Sequence, residues 1–134
     1  MTSQPSLAPA KGHKDLSGPA LRTFFRIADR WQLSNDQQMA LLGTPGRSTF
    51  FKWKKDQNGT LSRDTIERIS YVLGIYKALQ ILLSDEAAAD AWVKRPNTAP
   101  VFGGRSALER MLSGQVADLF AVRQYLDAQR GGWA

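Results

Sequence analysis

The sequence contains no cysteine, and its only histidine, His13, lies near the N-terminus among serine, proline, glycine and lysine residues. The lack of thiols excludes disulfide scaffolds, cysteine nucleophiles and cysteine-based zinc sites, and it fits a reducing compartment. The twelve carboxylates are scattered among basic neighbours, so no nucleophile–base pair and no metal cluster emerges. We therefore predict that the protein is not an enzyme and has no catalytic residue, metal site or cofactor.

Long apolar runs are also lacking. No run approaches the roughly 20 residues that a membrane-spanning helix needs. The N-terminal segment has no apolar stretch of the kind that a secretory signal contains. These absences predict a cytoplasmic protein that does not contact a membrane.

Charge is present but unevenly distributed. The net charge is +6, and residues 1–83 contain 12 lysines and arginines against 6 acidic residues, whereas residues 84–134 contain 6 of each. A localised basic surface is typical of proteins that bind the phosphate backbone of nucleic acids. The alternative is a basic face that is merely solvated.

Apolar spacing predicts an all-α fold, with no segment that alternates as a strand does. Residues 1–18 show no period and predict a flexible tail. From Pro19 onward, apolar residues recur at helical offsets. Ser62 and Ser106 are placed to cap later helices, and Gly74 is a candidate break within a long helical stretch.

A helix-turn-helix pattern lies between residues 35 and 55. Ser34 begins a capping box, Gly43 is placed to end the first short helix, and Thr44-Pro45 is placed to cap and begin the second. Two short helices joined by a glycine-containing turn are typical of DNA-reading proteins, although helical proteins of other kinds also contain such turns.

The second helix of this pattern has the chemistry of a recognition helix. Donor side chains at its N-terminal end can reach base edges and phosphates, and the lysines further along act through their charge. The aromatic residues Phe50, Phe51 and Trp53 are interpreted as scaffold that anchors the helix to the core. The alternative for the cationic residues is the solvated face of a core helix. The predicted DNA-binding residues are Arg47, Ser48, Thr49, Lys52, Lys54 and Lys55.

The C-terminal third carries more specific motifs. They are Arg95-Pro96-Asn97, Phe102-Gly103-Gly104-Arg105-Ser106, Leu112, Gly114, Val122-Arg123-Gln124-Tyr125-Leu126-Asp127 and the closing Gly131-Gly132-Trp133. Together they resemble the antitoxin domain of the Xre/MbcA/ParS family, and the helix-turn-helix resembles the N-terminal region of that family. Ala107 stands where a proline would be more typical of the family.

The resemblance implies an antitoxin of a type II toxin–antitoxin system. Members of the family pair with RES-domain toxins, which are similar to ADP-ribosyl-transfer folds and deplete cellular NAD. Their antitoxins dimerise, repress by binding operator DNA, and cover the NAD pocket of the toxin with C-terminal residues. The implied organisation is a tail over residues 1–18, a helix-turn-helix and dimerisation region over residues 19–83, and a small helical toxin-binding lobe over residues 84–134. The predicted toxin-binding residues are Asn97, Phe102, Gly103, Gly104, Arg105, Arg130, Gly131, Gly132 and Trp133.

The residues alone support a weaker version of this interpretation. A neutral lobe with a glycine-rich loop is suited to entering a concave partner surface. Without the resemblance, however, a tight turn followed by a helix cap, with Arg105 solvated, is the preferred interpretation of the loop. Surplus apolar positions on the middle helices, at Ile75, Leu79, Leu82 and Leu83, predict a homodimer. The alternative function is a free-standing helix-turn-helix transcriptional regulator.

Overall fold

The computed structural model describes residues 4–131, with side chains from Ser17 onward. Within these residues the chain is helical and contains no strand, which confirms the all-α prediction. No helix of the described part is long and apolar enough to cross a membrane. The helices are α1 (Gln4–Arg30), α2 (Asn35–Leu41), α3 (Arg47–Asp56), α4 (Arg63–Leu82), α5 (Glu86–Ala91), α6 (Ala107–Met111) and α7 (Val116–Gly131), with a 3₁₀ turn over Trp92–Lys94.

Helix α4 is the centre of the fold, because α1 and α7 both pack extensively against it. Its residues Val72, Ile75 and Leu79 are almost fully buried. The buried apolar side chains of the helix-turn-helix and of the C-terminal segment form one continuous cluster. Two exposed arginine contacts add to this connection, since the guanidinium of Arg30 on α1 pairs with Asp90 of α5 at 3.0 Å and with Glu86. The helix-turn-helix half therefore shares its core with the C-terminal half.

The first helix begins before the position that the sequence predicted. Helix α1 starts at Gln4, so residues 4–18 of the predicted flexible tail are helical, and Pro19 lies inside the helix rather than at its start. Residues 1–3 of that tail lie outside the described residues. Ser17 is fully buried, and its hydroxyl accepts a hydrogen bond from the backbone N–H of Leu61 at 3.3 Å. This tertiary contact outweighs the low helix propensity of the residues around Pro19.

The predicted break at Gly74 is wrong, because α4 runs without interruption through that residue. A Cβ atom at Gly74 would lie 2.5 Å from the guanidinium of Arg123 on α7. The glycine therefore admits a close approach of the neighbouring helix instead of ending its own. The three predicted serine caps are confirmed: Ser34 and Ser106 both form capping boxes, and the Ser62 hydroxyl accepts from the N–H of Thr65.

Candidate functional site

The turn between α2 and α3 is closed by backbone hydrogen bonds. Gly43 has a φ of 89° and takes the predicted position just after the end of α2. Its N–H donates to the carbonyl of Ala40 at 3.2 Å, and the N–H of Thr44 donates to that of Met39 at 2.8 Å. Because Thr44 belongs to this closure and has a φ of 59°, it does not cap α3. Gly46 takes the cap position instead, and α3 begins at Arg47.

One face of α3 is buried and the other is open to solvent. Phe50 is fully buried and Trp53 is half-buried, as the scaffold interpretation predicted. Phe51 does not follow that interpretation, because it is 39% exposed. The exposed side chains of α3 are those of Arg47, Ser48, Thr49, Phe51, Lys52, Lys55 and Asp56, and we call the first six of these the reading face.

Arg47 is held loosely at the start of the reading face. Its Nη1 lies 3.3 Å from Oδ1 of Asp36, and its guanidinium carbon lies 5.3 Å from the ring centroid of Phe51. The side chains of Arg47 and Asp36 are 64% and 87% exposed. An ion pair this exposed contributes little stability, so the arginine can exchange its partner for a phosphate or a base at small cost.

Lys54 differs from the other predicted DNA-binding residues. Its ammonium group donates to Oδ1 of Asn35 at 2.7 Å and lies 5.7 Å from the ring centroid of Phe50. The contact with Asn35 joins α3 to α2, and the side chain of Lys54 is half-buried. The structure thus brings Arg47, Ser48, Thr49, Lys52 and Lys55 together on one exposed face and gives Lys54 a packing role as well.

The second candidate surface is built on the loop of residues 96–105. The N–H of Asn97 donates to the carbonyl of Arg105 at 3.0 Å, and the N–H of Gly104 donates to that of Asn97 at 2.9 Å. The side chain of Asn97 also accepts from the N–H of Ala99. Gly103 and Gly104 have φ values of 59° and 88°, which a residue with a side chain adopts only with strain. The loop is therefore fixed in one shape by its own backbone.

Phe102 anchors this loop to the core. The sequence placed it among the toxin-binding residues, but its side chain is only 5% exposed. Its ring centroid lies 5.8 Å from that of Trp92 and 5.1 Å from that of Tyr125 on α7. Because the ring is enclosed by these aromatic neighbours, Phe102 positions the loop and presents little surface of its own to a partner.

A half-buried ion pair between Arg110 and Asp118 supports the loop from the side of α6 and α7. Arg110 of α6 donates through Nη1 to the carbonyl of Val101 at 2.7 Å and through Nε to Asp118 at 2.9 Å. The hydroxyl of Ser113 donates to the second oxygen of Asp118 at 2.5 Å. The hydrogen bond from Ser113, together with the one from Arg110, holds the pKa of Asp118 below its ordinary value of 3.8.

This network makes a prediction about pH. Asp118→Asn should lower the free energy of unfolding by about 1–2 kcal/mol at neutral pH, because two hydrogen bonds to a carboxylate weaken. Since the folded pKa is depressed, this stabilisation is present above the ordinary pKa and is lost as the pH falls through the folded value. The difference between the two proteins in urea unfolding should therefore stay constant well above the ordinary value of 3.8 and shrink as the pH falls below it.

The matched control is Asp127→Asn. Asp127 pairs on α7 with Arg123 at 3.5 Å and with Arg130 at 4.0 Å, and it is about half-exposed. These i,i+4 and i,i+3 pairs form the surface ladder expected of their spacing and should contribute only about 0.3–0.5 kcal/mol. Equal losses for the two variants would contradict the role given to Asp118.

The other predicted toxin-binding residues are open to solvent. Gly103, Gly104 and Arg105 are exposed, and within the described residues Arg105 forms backbone hydrogen bonds with Asn97 and Phe102 but no side-chain hydrogen bond or ion pair. Arg130 and Gly131 are exposed at the end of α7. Gly132 and Trp133, which the sequence also assigned to toxin binding, lie outside the described residues.

The structure also contains an apolar groove that the sequence did not predict. It has a volume of about 440 Å³ and is formed where the end of α4 meets α7. Ile81 is 62% exposed at its edge, and the rings of Trp92 and Tyr125 stack 6.5 Å apart at its wall. The apolar run after Gln80 was the available signal, but it did not distinguish the exposed Ile81 from its half-buried neighbours. The lining residues are Leu79, Ile81, Leu82, Leu83, Trp92, Tyr125, Leu126 and Gln129.

Comparisons with known proteins cover both surfaces. A family model described as the antitoxin Xre-like helix-turn-helix domain matches residues 12–74, which include the reading face. A model described as the antitoxin Xre/MbcA/ParS C-terminal toxin-binding domain matches residues 78–132, which include the loop and the groove. An uncharacterized protein of Sinorhizobium fredii, y4oB, is 57% identical over 129 residues, or 92% of this chain and 98% of that protein. The chain therefore belongs to the Xre/MbcA/ParS family of toxin–antitoxin antitoxins, with a helix-turn-helix domain followed by a toxin-binding domain.

Proposed function

We propose that this antitoxin neutralises a RES-domain, NAD-depleting toxin by covering its active site, and that it represses its own operon by binding operator DNA. The observation that carries the proposal is that residues 78–132 match a toxin-binding domain while the reading face stays open on the other domain. Both partners are intracellular, which agrees with the cytoplasmic location that the sequence predicts.

The DNA-binding half of the proposal rests on the exposed cations of α3. Lys52 and Lys55 are open to solvent, and Arg47 has only a weak, exposed ion pair. A recognition helix needs donors at its N-terminal end to reach base edges and cations further along to contact phosphates. The reading face has both in that order.

The toxin-binding half rests on the loop and on the end of α7. The loop presents Arg105 on a backbone whose shape is already fixed. Little conformational entropy is therefore lost when a partner binds. Phe102 and Tyr125 connect the loop to the helix that ends at Arg130 and Gly131. An arginine pairs with carboxylates or phosphates through a planar fork, which suits the surroundings of a nucleotide pocket.

The proposal also includes a homodimer. The sequence-based prediction of a dimer used four apolar residues, of which Ile75 and Leu79 are buried in the core of the single chain. Leu82 and Leu83 remain half-buried and, with the exposed Ile81, leave an apolar end of α4. Two-fold dimers read operator half-sites about 34–36 Å apart, and such an apolar end is suited to a two-fold contact.

Ile81→Lys tests the dimer. Light scattering should give the mass of a dimer for the unchanged chain at micromolar concentration and the mass of a monomer for the variant, because a charge would have to be buried in the contact. Phe120→Lys is the matched control, since Phe120 is 47% exposed at another position and should leave the dimer intact. A monomeric unchanged chain, alone and with toxin, would refute this part of the proposal.

Co-purification tests the proposed partner. The reading frame next to the gene of this chain should encode a RES-domain protein, and the tagged antitoxin should retain it through size exclusion. If the neighbouring product has no RES domain, or is not retained, the chain acts on another toxin or as a free-standing regulator.

A further inference from the structure

Phe51 is an aromatic residue of the reading face whose presence is not explained by packing in the core, because its side chain is exposed. Phe50 packs α3 against the core: its side chain is fully buried, and its ring centroid lies 5.9 Å from that of Phe25 on α1. Trp53 adds a second, half-buried contact. Phe51 makes an edge-to-face contact with Phe50, with ring centroids 5.1 Å apart, and is 39% exposed among donor and cationic side chains.

The position of Phe51 relative to Arg47 is equally informative. The two residues are one turn apart on the same side of α3, and the guanidinium carbon of Arg47 lies 5.3 Å from the ring centroid. Four residues of helix advance about 6 Å, which is less than two base steps of about 3.4 Å each. If Arg47 contacts a base edge, the ring of Phe51 lies within one or two base pairs of it.

A phenyl ring offers a narrow range of interactions to DNA. It neither donates to a phosphate nor accepts from a base edge, so it adds nothing to the electrostatic contact. The apolar group that a DNA base presents in the major groove is the C5-methyl group of thymine. We infer that Phe51 is a specificity-determining residue, which selects a thymine next to the base contacted by Arg47.

This inference rests on the proposed DNA-binding function and deepens it. Selection from a library of random-sequence duplexes with the full chain supplies the probe. The selected sites should contain a thymine at a fixed position, within two base pairs of the position whose preference is lost in Arg47→Ala. In Phe51→Ala, the preference for that thymine should disappear while the neighbouring preferences persist.

Deoxyuridine then isolates the methyl group, since it differs from thymidine only at C5. Replacing the selected thymine by deoxyuridine should weaken binding of the unchanged chain about fourfold, the value of one buried methylene-sized group. Phe51→Ala should bind both duplexes equally. Lys52→Ala is the matched control: it should bind both more weakly and keep the fourfold ratio. Phe51→Leu retains an apolar side chain and should keep part of the ratio, and circular dichroism verifies that each variant is folded.

The outcomes separate the two levels of the argument. If the chain selects no sequence at all, the proposed operator recognition fails, and the inference fails with it. If it selects a site but tolerates deoxyuridine at every thymine, or if Phe51→Ala keeps the fourfold ratio, the inference about Phe51 alone is overturned. A thymine methyl effect that requires Phe51 supports it.

Discussion

Arg47→Ala combined with Lys52→Ala will weaken binding to operator DNA by roughly 10- to 200-fold, because a lost base contact costs about 1–3 kcal/mol and a lost phosphate contact adds to it. Both side chains are exposed on the reading face, and the only ion pair that is lost, with Asp36, is itself highly exposed. The fold should therefore be unaffected. The measurement is fluorescence anisotropy with a duplex from the region upstream of the gene, at several salt concentrations.

The salt dependence identifies which contact each residue makes. Losing the phosphate contact of Lys52 should reduce the log–log slope of affinity against salt by about one, whereas losing a base contact leaves the slope unchanged. The control is Lys77→Ala combined with Lys94→Ala, which removes the same charge from exposed positions outside α3. Equal effects of the two double variants would mean that the net charge matters and the reading face does not.

Removal of residues 131–134 will reduce protection against the toxin by about thirtyfold or more, the effect expected when an aromatic anchor is lost from an interface. The change spares the buried residues of α7, which are Leu119, Val122 and Leu126, so circular dichroism and DNA binding should stay near normal. Trp133→Ala should reproduce most of the loss. The measurement is consumption of NAD by the toxin at a fixed excess of antitoxin.

Two further variants make this result specific. Gln124→Ala changes another exposed residue of α7 and should leave protection intact. If the truncated chain is folded and inhibits as well as the full chain, neutralisation depends instead on the loop of residues 96–105. In that case Arg105→Ala, at an exposed position of the loop, should be the variant that loses protection.

Local signals in the sequence predicted those parts of the fold that depend on neighbouring residues. The capping boxes at Ser34 and Ser106 and the glycine closure of α2 at Gly43 are all present in the structure, because each is formed within a few residues of chain. The helix-turn-helix followed from these same signals. The family was predicted by longer motifs and is confirmed by the comparisons.

Tertiary contacts account for the predictions that were wrong. Gly74 was interpreted as a helix break because local patterns could not show what it packs against. The residue that approaches it, Arg123 on α7, lies 49 residues further along the chain. The start of α1 was misplaced because the contact between Ser17 and Leu61 spans a similar separation. Phe51 was assigned to the scaffold by its residue type and Phe102 to toxin binding by the family resemblance, yet the first is exposed and the second is buried. Burial of a single aromatic residue depends on what the whole fold brings to it.

The candidate surfaces were predictable to different degrees. The reading face follows from helical periodicity within α3, so its cations could be identified from the sequence. The same periodicity did not reveal that Lys54 contacts Asn35. The apolar groove joins α4, the 3₁₀ turn and α7, which helical periodicity within any one segment cannot reveal. The same limit applies to the aromatic contacts of Phe102, which connect the loop to α7.

The most direct test of the central claim is a titration of toxin activity with the full chain. The RES-domain toxin that we propose as the partner is incubated with NAD, and NAD is measured over time as purified antitoxin is added. The account predicts that NAD consumption falls to background as the antitoxin reaches a fixed stoichiometric ratio to the toxin. Undiminished NAD consumption in the presence of a saturating amount of folded antitoxin would contradict it.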